Sequence, residues 1–175
     1  VNKLICVQII KKEKFMTLQK KVYQKQALGV VGEFADSSPK RVSAYMLRAN
    51  GDVAPKIGCA YTFTAKDSEL KIGGSGVFAG VAAGAKQYCS DTYESSLDLA
   101  DGIVAQVCSM GHILVNVKTE VKPNYVAAFN PATGEIYGYE NADAATTAKH
   151  TLIPNAKFVF CSADENGTAV LELNP

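Results

Sequence analysis

The sequence predicts an all-β fold: a single-domain β-sandwich or barrel, jelly-roll-like, with an extended N-terminal arm. Three observations lead there. Short runs rich in Ile, Val, Tyr and Thr recur along the chain, and such side chains suit a pleated, half-buried surface. Gly, Pro, Asn and Asp separate the runs, as at Asn50-Gly51-Asp52 and Asp164-Glu165-Asn166-Gly167. No long amphipathic helix, solenoid repeat or domain linker interrupts the pattern. The count is about eight to ten short strands, as in sandwiches and barrels. A chain of 175 residues fits one domain with a sizeable core.

The N-terminus is read first. Residues 1–15 carry an apolar run followed by charges, the reverse of a signal peptide. Lys12-Glu13-Lys14-Phe15-Met16 back-translates to a purine-rich ribosome-binding sequence upstream of an ATG. The expectation is therefore a translated, disordered leader over 1–15, with Met16 as the natural start; a short amphipathic arm is the alternative. Residues 16–41 read as an extended arm bending at Gly29 and Gly32, broken at Ser37-Ser38-Pro39, where the residue before Pro is held extended. Residues 42–175 form the β domain.

Within that domain, residues 42–48 are the first core strand, and Asn50-Gly51-Asp52 turns it. Residues 57–63 alternate, with Ile57, Cys59, Tyr61 and Phe63 on one face and Gly58, Ala60 and Thr62 on the other. Residues 65–70 read as a polar loop. Residues 96–118 form the centre: two apolar runs, 103–108 and 113–117, flank Ser109-Met110-Gly111 and predict a hairpin. A buried helical segment is the alternative, disfavoured by Gly102 and Gly111. Residues 125–129 and 135–139 form a second hairpin around Asn130-Pro131-Ala132-Thr133-Gly134. Residues 142–149 are a helical turn or loop. Residues 157–162 and 168–173 are the last strands, joined as a third hairpin.

Composition excludes several functions. The formal charge is +1, and the only basic cluster lies at residues 11–25, which argues against a sequence-independent grip on nucleic acid. No apolar run approaches the length of a membrane span. The five cysteines (Cys6, Cys59, Cys89, Cys108, Cys161) form no C-x-x-C, so they read as small buried hydrophobes in a reducing cytoplasm.

Chemistry is equally sparse, and no catalytic, cofactor-binding or metal residue is assigned. Gly74-Ser75-Gly76-Val77-Phe78-Ala79-Gly80 has the wrong spacing for a dinucleotide loop and reads as a strand edge or bulge where backbones approach closely. His112 reads as a turn residue and His150 as a surface residue, with no metal-binding spacing around either. Gly-x-Ser-x-Gly is absent, and Ser75, Ser90 and Ser109 have no readable activating base. Asp98, Asp101 and Glu120 are spread over strand ends without a paired-carboxylate spacing. Tyr45, Tyr61, Tyr125, Tyr137 and Tyr139 fall on strands and read mostly as core or inter-strand residues.

Three segments carry a family likeness. Residues 23–36, followed by Ser38-Pro39-Lys40-Arg41, resemble the N-terminal signature of structural cement (capsid decoration) proteins of tailed bacteriophages. Gly76-Val77-Phe78-Ala79-Gly80-Val81 resembles their mid-chain segment, and residues 97–117 resemble a third. The resemblance implies a non-enzymatic virion protein made in the bacterial host cytoplasm. It would sit on the capsid exterior, bridge major capsid protein subunits and act as a homo-oligomer, dimer or trimer, with no cofactor. The arm is the expected contact, with Tyr23, Gln26 and Arg41 as polar anchors. The alternative is a virion-surface carbohydrate-binding knob for host adhesion, which clustered exposed Tyr in a groove would favour. A small β-barrel hydrolase comes third.

Overall fold

The structure, a computed structural model, describes residues 28–84, 98–160 and 163–174. The leader 1–15, arm residues 16–27 with Tyr23 and Gln26, Ser90, and Cys6, Cys89 and Cys161 lie outside the described residues.

The described chain forms nine strands and one short helix: β1 (Arg41–Arg48), β2 (Ala60–Phe63), β3 (Glu69–Ile72), β4 (Phe78–Ala83), β5 (Val104–Asn116), β6 (Val126–Phe129), β7 (Ile136–Tyr139), α1 (Ala142–Thr147), β8 (Thr151–Val159) and β9 (Thr168–Leu173). Strands β1-β3-β2-β4-β5 lie side by side, and β5 pairs back with β1, closing a five-stranded barrel. The β1–β3 pair is parallel, unlike the all-antiparallel sheets of a jelly roll. The second half of β5 begins another sheet, β5-β9-β8-β6-β7. That sheet curls until Ile136 of β7 meets Val117 in a parallel bridge, and Thr119 Oγ1 accepts from Gly138 N–H and donates to Gly138 O. Each described strand thus has a neighbour on both sides along at least part of its length, which protects sheet edges from stray pairing.

Two cores follow from this layout. Leu47, Tyr61, Leu70, Ile72, Ala105 and Val107 fill the barrel. Ala60, Val81, Ala83 and Cys108 face outward from it and pack against Ile113, Val115, Phe129, Phe158 and Leu171 of the second sheet. The alternation in residues 57–63 is real: Ile57, Cys59 and Tyr61 enter one core and Ala60 the other. Only residues 60–63 are strand, however, and Phe63 is exposed. Polar Thr62 is buried because its Oγ1 donates to Gly73 O at 2.6 Å.

The predicted central hairpin is a correction. Residues 104–116 form one strand through Ser109-Met110-Gly111. Gly111 has φ +121°, and a Cβ there would lie 3.0 Å from Lys40 Cβ. This glycine therefore admits a crossing chain instead of reversing its own. The two halves need not pair with each other, since the first bonds to β1 and β4 and the second to β9. His112, expected in a turn, accordingly sits mid-strand. Glu69 and Leu70, expected in a loop, begin β3, held in place by Arg48, which reaches Glu69 at 3.0 Å and Asp101 at 3.4 Å.

The two later hairpins fall where the sequence puts them, β6–β7 and β8–β9. The last strand before residue 168 runs earlier than expected, from Thr151 to Val159. The 142–149 segment is helical over Ala142–Thr147, because Asn141 Oδ1 caps Ala144 N–H at 3.0 Å and Ala145 is buried.

Candidate interaction surface

The arm is where an exposed segment meets the body. Gly32 N–H donates to Leu114 O at 2.7 Å, Leu114 N–H to Glu33 O at 2.9 Å, and Ala35 N–H to His112 O at 3.0 Å. Residues 32–35 therefore add a short strand to β5, with Phe34 opposite Ile113 and packed on the larger core. Gly84 N–H also donates to Gly32 O at 2.8 Å. Before this docked stretch, Leu28 and Val30 are exposed apolar residues. After it, Lys40 places its ammonium 4.3 Å from the Phe34 ring centroid, a cation–π contact.

A polar clasp closes the junction. Asp36 Oδ2 lies 2.6 Å from His112 Nδ1, Ser38 Oγ donates to Asp36 Oδ1 at 2.5 Å, and Glu172 Oε1 of β9 lies 3.9 Å from His112 Nε2. The Phe160 ring meets the imidazole edge-on at 5.3 Å. The Ser38 hydroxyl and amide, and then His112, hold the Asp36 carboxyl at about 2, well below the ordinary carboxylate range. Ser, His and Asp are the residue types of a hydrolytic triad, but a triad needs serine and carboxylate on opposite ring nitrogens. Here both face Nδ1, at 3.3 Å and 2.6 Å, and the serine proton is already given to the carboxylate. The arrangement fastens a strand and activates no nucleophile. Residues 36, 38 and 112 are too scattered in sequence for any spacing rule to have joined them.

Of the predicted anchors, Arg41 is described: it is exposed, opens β1 opposite Met110, and sits at a register shift where the arm leaves the body. The sequence missed the exposed apolar residues. Val77 is 75% exposed and Phe160 66%, and Phe63, itself exposed, stacks edge-on with Tyr45 at 5.9 Å.

A cavity of about 320 Å³ lies between barrel and second sheet, lined in part by Val31, Cys59 and Ile136. Its charged groups are paired across the rim, Lys56 with Asp98 at 3.2 Å and Lys118 with Glu135 at 3.2 Å. Burial pushes the Cys59 thiol up to about 12 and raises Cys108 as well, so neither is a poised thiolate. Tyr61 is buried too, its hydroxyl accepting from Lys56 N–H and donating to Lys56 O. His150, expected on the surface, is half-buried: Tyr137 lies over it at 4.0 Å, and the Tyr139 hydroxyl is 2.6 Å from Nδ1. These tyrosines pack on a histidine of their own chain. Among the described residues, no group of three or more His, Cys, Asp or Glu converges as metal ligands would.

A closed β-barrel joined to a second, curled sheet, with a docked arm, defines a β-rich module. The chain belongs to the structural cement protein family (E217 gp24/Pam3 gp6), which it matches over residues 18–174. It is thus a phage capsid-associated structural protein, of a family whose place is the virion. Among solved structures it is similar to a chain in the capsid of Myoviridae phage XM1, with TM-score 0.61 and 20% identity over 91% of this chain and 98% of that one. It is also similar to the head fiber gp8.5 N base of bacteriophage phi29, with TM-score 0.43 and 15% identity over 77% and 95%. At 20% identity the likeness to the phage XM1 chain speaks to fold alone. No curated protein matches the sequence.

Proposed function

We propose that the protein binds the outside of the phage head and stabilises contacts between major capsid protein subunits. The observation that carries this reading is the family match, which spans nearly the whole chain. The structure adds a reason for the arm to matter: apolar Leu28 and Val30 stand exposed beside a stretch anchored to the body, with cationic Arg41 at its foot. Tyr23 and Gln26, earlier in the sequence, are further proposed contacts. The protein would act as a dimer or trimer. Weak single contacts repeated by symmetric copies on a lattice raise the effective concentration and give firm attachment.

Co-sedimentation with expanded empty shells of the cognate phage tests this. Saturable binding at a fixed ratio to the major capsid protein is expected. A chain lacking residues 1–27 keeps the docked strand and should bind more weakly, as should Arg41→Glu. Full binding by both variants would move the contact off the arm. No saturable binding by the intact chain would overturn the capsid reading.

A further inference from the structure

We propose that residues 28–36 exchange between copies of this chain, so that the arm of one copy seats on the edge of β5 at residues 112–114 in the next.

Apart from the local Lys40–Phe34 and Ser38–Asp36 contacts, the contacts that seat the arm join it to residues distant in sequence: Leu114 and His112 through backbone bonds, Ile113 beside Phe34, Gly84 through Gly32, and the Asp36–His112 clasp. None requires the arm and β5 to belong to one chain. The arm is joined to β1, and through it to the rest of the body, by the stretch Ser37-Ser38-Pro39-Lys40, which is outside any strand and exposed except at Ser38. Pro39 disfavours a helical Ser38 and has no N–H to lose, so opening this link to an extended form costs no Pro39 backbone donor, only the contacts that Lys40 makes with Phe34 and beside Gly111. Extended, residues 36–40 reach roughly 17 Å, enough to carry the arm off its own body.

The occupant is named by what departure would leave behind. Without the arm, β5 exposes the Leu114 N–H and two carbonyls, next to an apolar socket shaped by Phe34. Unpaired backbone groups beside apolar surface are costly, and the sequence that fits the socket is the arm itself. Residues 112–114 of β5 pair with β9 on one side and with the arm on the other, so this stretch of β5 is the acceptor edge that the arm occupies. A second copy restores every bond, which is why swapping a terminal element is a low-cost route to oligomers. In dilute solution the tether favours self-docking. Copies held at fixed spacing compete on more equal terms. The inference goes beyond the proposed capsid role and leans on it only for where copies would be crowded.

The test is full-length chain with Asp36→Cys and His112→Cys, prepared with light and heavy nitrogen, mixed in equal amounts, unfolded, refolded at increasing concentration and oxidised. Mass spectrometry of the linked 36–112 peptide then reads the pairing. Exchange gives mixed-label peptide rising toward about half of the total as concentration rises, and the same on shells. A peptide that stays single-label at every concentration and on shells overturns the proposal. Where the disulfide does not form, isotope-filtered contacts between Phe34 and Ile113 in the mixed wild-type oligomer give the same answer: present for exchange, absent against it. Shell binding with single-label peptide would sink exchange and leave the capsid reading. Mixed-label peptide without shell binding would do the opposite.

Discussion

Asp36 and His112, 76 positions apart, meet at 2.6 Å and fasten the arm to β5. The hydrogen bonds from Ser38 and His112 stabilise the ionised carboxylate, so the folded value falls to about 2 from an unfolded value near ~3.9. A depressed folded value contributes stability that is full above the unfolded one and lost as pH falls through the folded one. The arm should therefore stay docked down to about pH 4 and loosen between about 4 and 2. Amide exchange at Gly32, Ala35 and Leu114 checks this, each protected at neutral pH. In Asp36→Asn the same amides should exchange faster already at neutral pH. Unchanged protection in both settings would mean that backbone pairing and Phe34 alone hold the arm.

Three glycines should rank by what an added methyl meets. At Gly51, φ is +62° and nothing lies within 4 Å, so Gly51→Ala should cost only the left-handed penalty, about 1 kcal/mol. At Gly111 the methyl lies 3.0 Å from Lys40 Cβ at φ +121°, and about 1–3 kcal/mol is expected. At Gly80 it would sit 2.3 Å from Cys108 O in the neighbouring strand, where backbone must move, so Gly80→Ala should lose more than about 3 kcal/mol or fail to fold. Urea midpoints in the order Gly51, Gly111, Gly80 bear this out, and a harmless Gly80→Ala would contradict the β4–β5 packing.

The same glycines show what was legible in the sequence. Where a glycine closes a local turn, as at Gly51 and Gly134, the neighbouring Asn or Pro marks it, and those turns were readable. Gly111 looks identical in a one-dimensional pattern, but its function is set by Lys40, 71 positions earlier, so a through-strand was taken for a hairpin. The burial of residues 57–61 was legible as alternation, because period 2 is a local property. Which core each face enters was not, since β2 lies between two cores that only the folded topology creates. The clasp escaped for the same reason: Asp36, Ser38 and His112 share no spacing. The family signature was readable because it is carried by contiguous residues.

Cys59 and Cys108 should be inert in the native protein. Both are buried, and the thiols are raised above their ordinary value, Cys59 to about 12. The thiolate is the reactive form, so iodoacetamide at pH 8 should leave both unmodified until the chain unfolds. Peptide mapping after native and denatured labelling reads this directly. Native labelling of Cys108 would show that β5 opens locally beside β1 and β4.

The Tyr139–His150 pair should stabilise the end of the second sheet in its neutral form. Burial lowers the His150 value and raises that of Tyr139, so both are neutral at pH 8 and share one hydrogen bond at 2.6 Å, with the hydroxyl as donor in the Nε2–H tautomer. A histidine whose folded value is depressed contributes stability that is full above its unfolded value near ~6.5 and declines as pH falls through the folded one. Tyr139→Phe removes the donor but keeps the ring, and should cost about 1 kcal/mol at pH 8. The cost should shrink at pH 5 if protonation of Nδ1 displaces the hydroxyl that donates to it at pH 8. Thermal unfolding of both chains at the two pH values decides it. A cost that is larger at pH 5 would mean the pair works as a charged contact, with the imidazolium donating to the tyrosine.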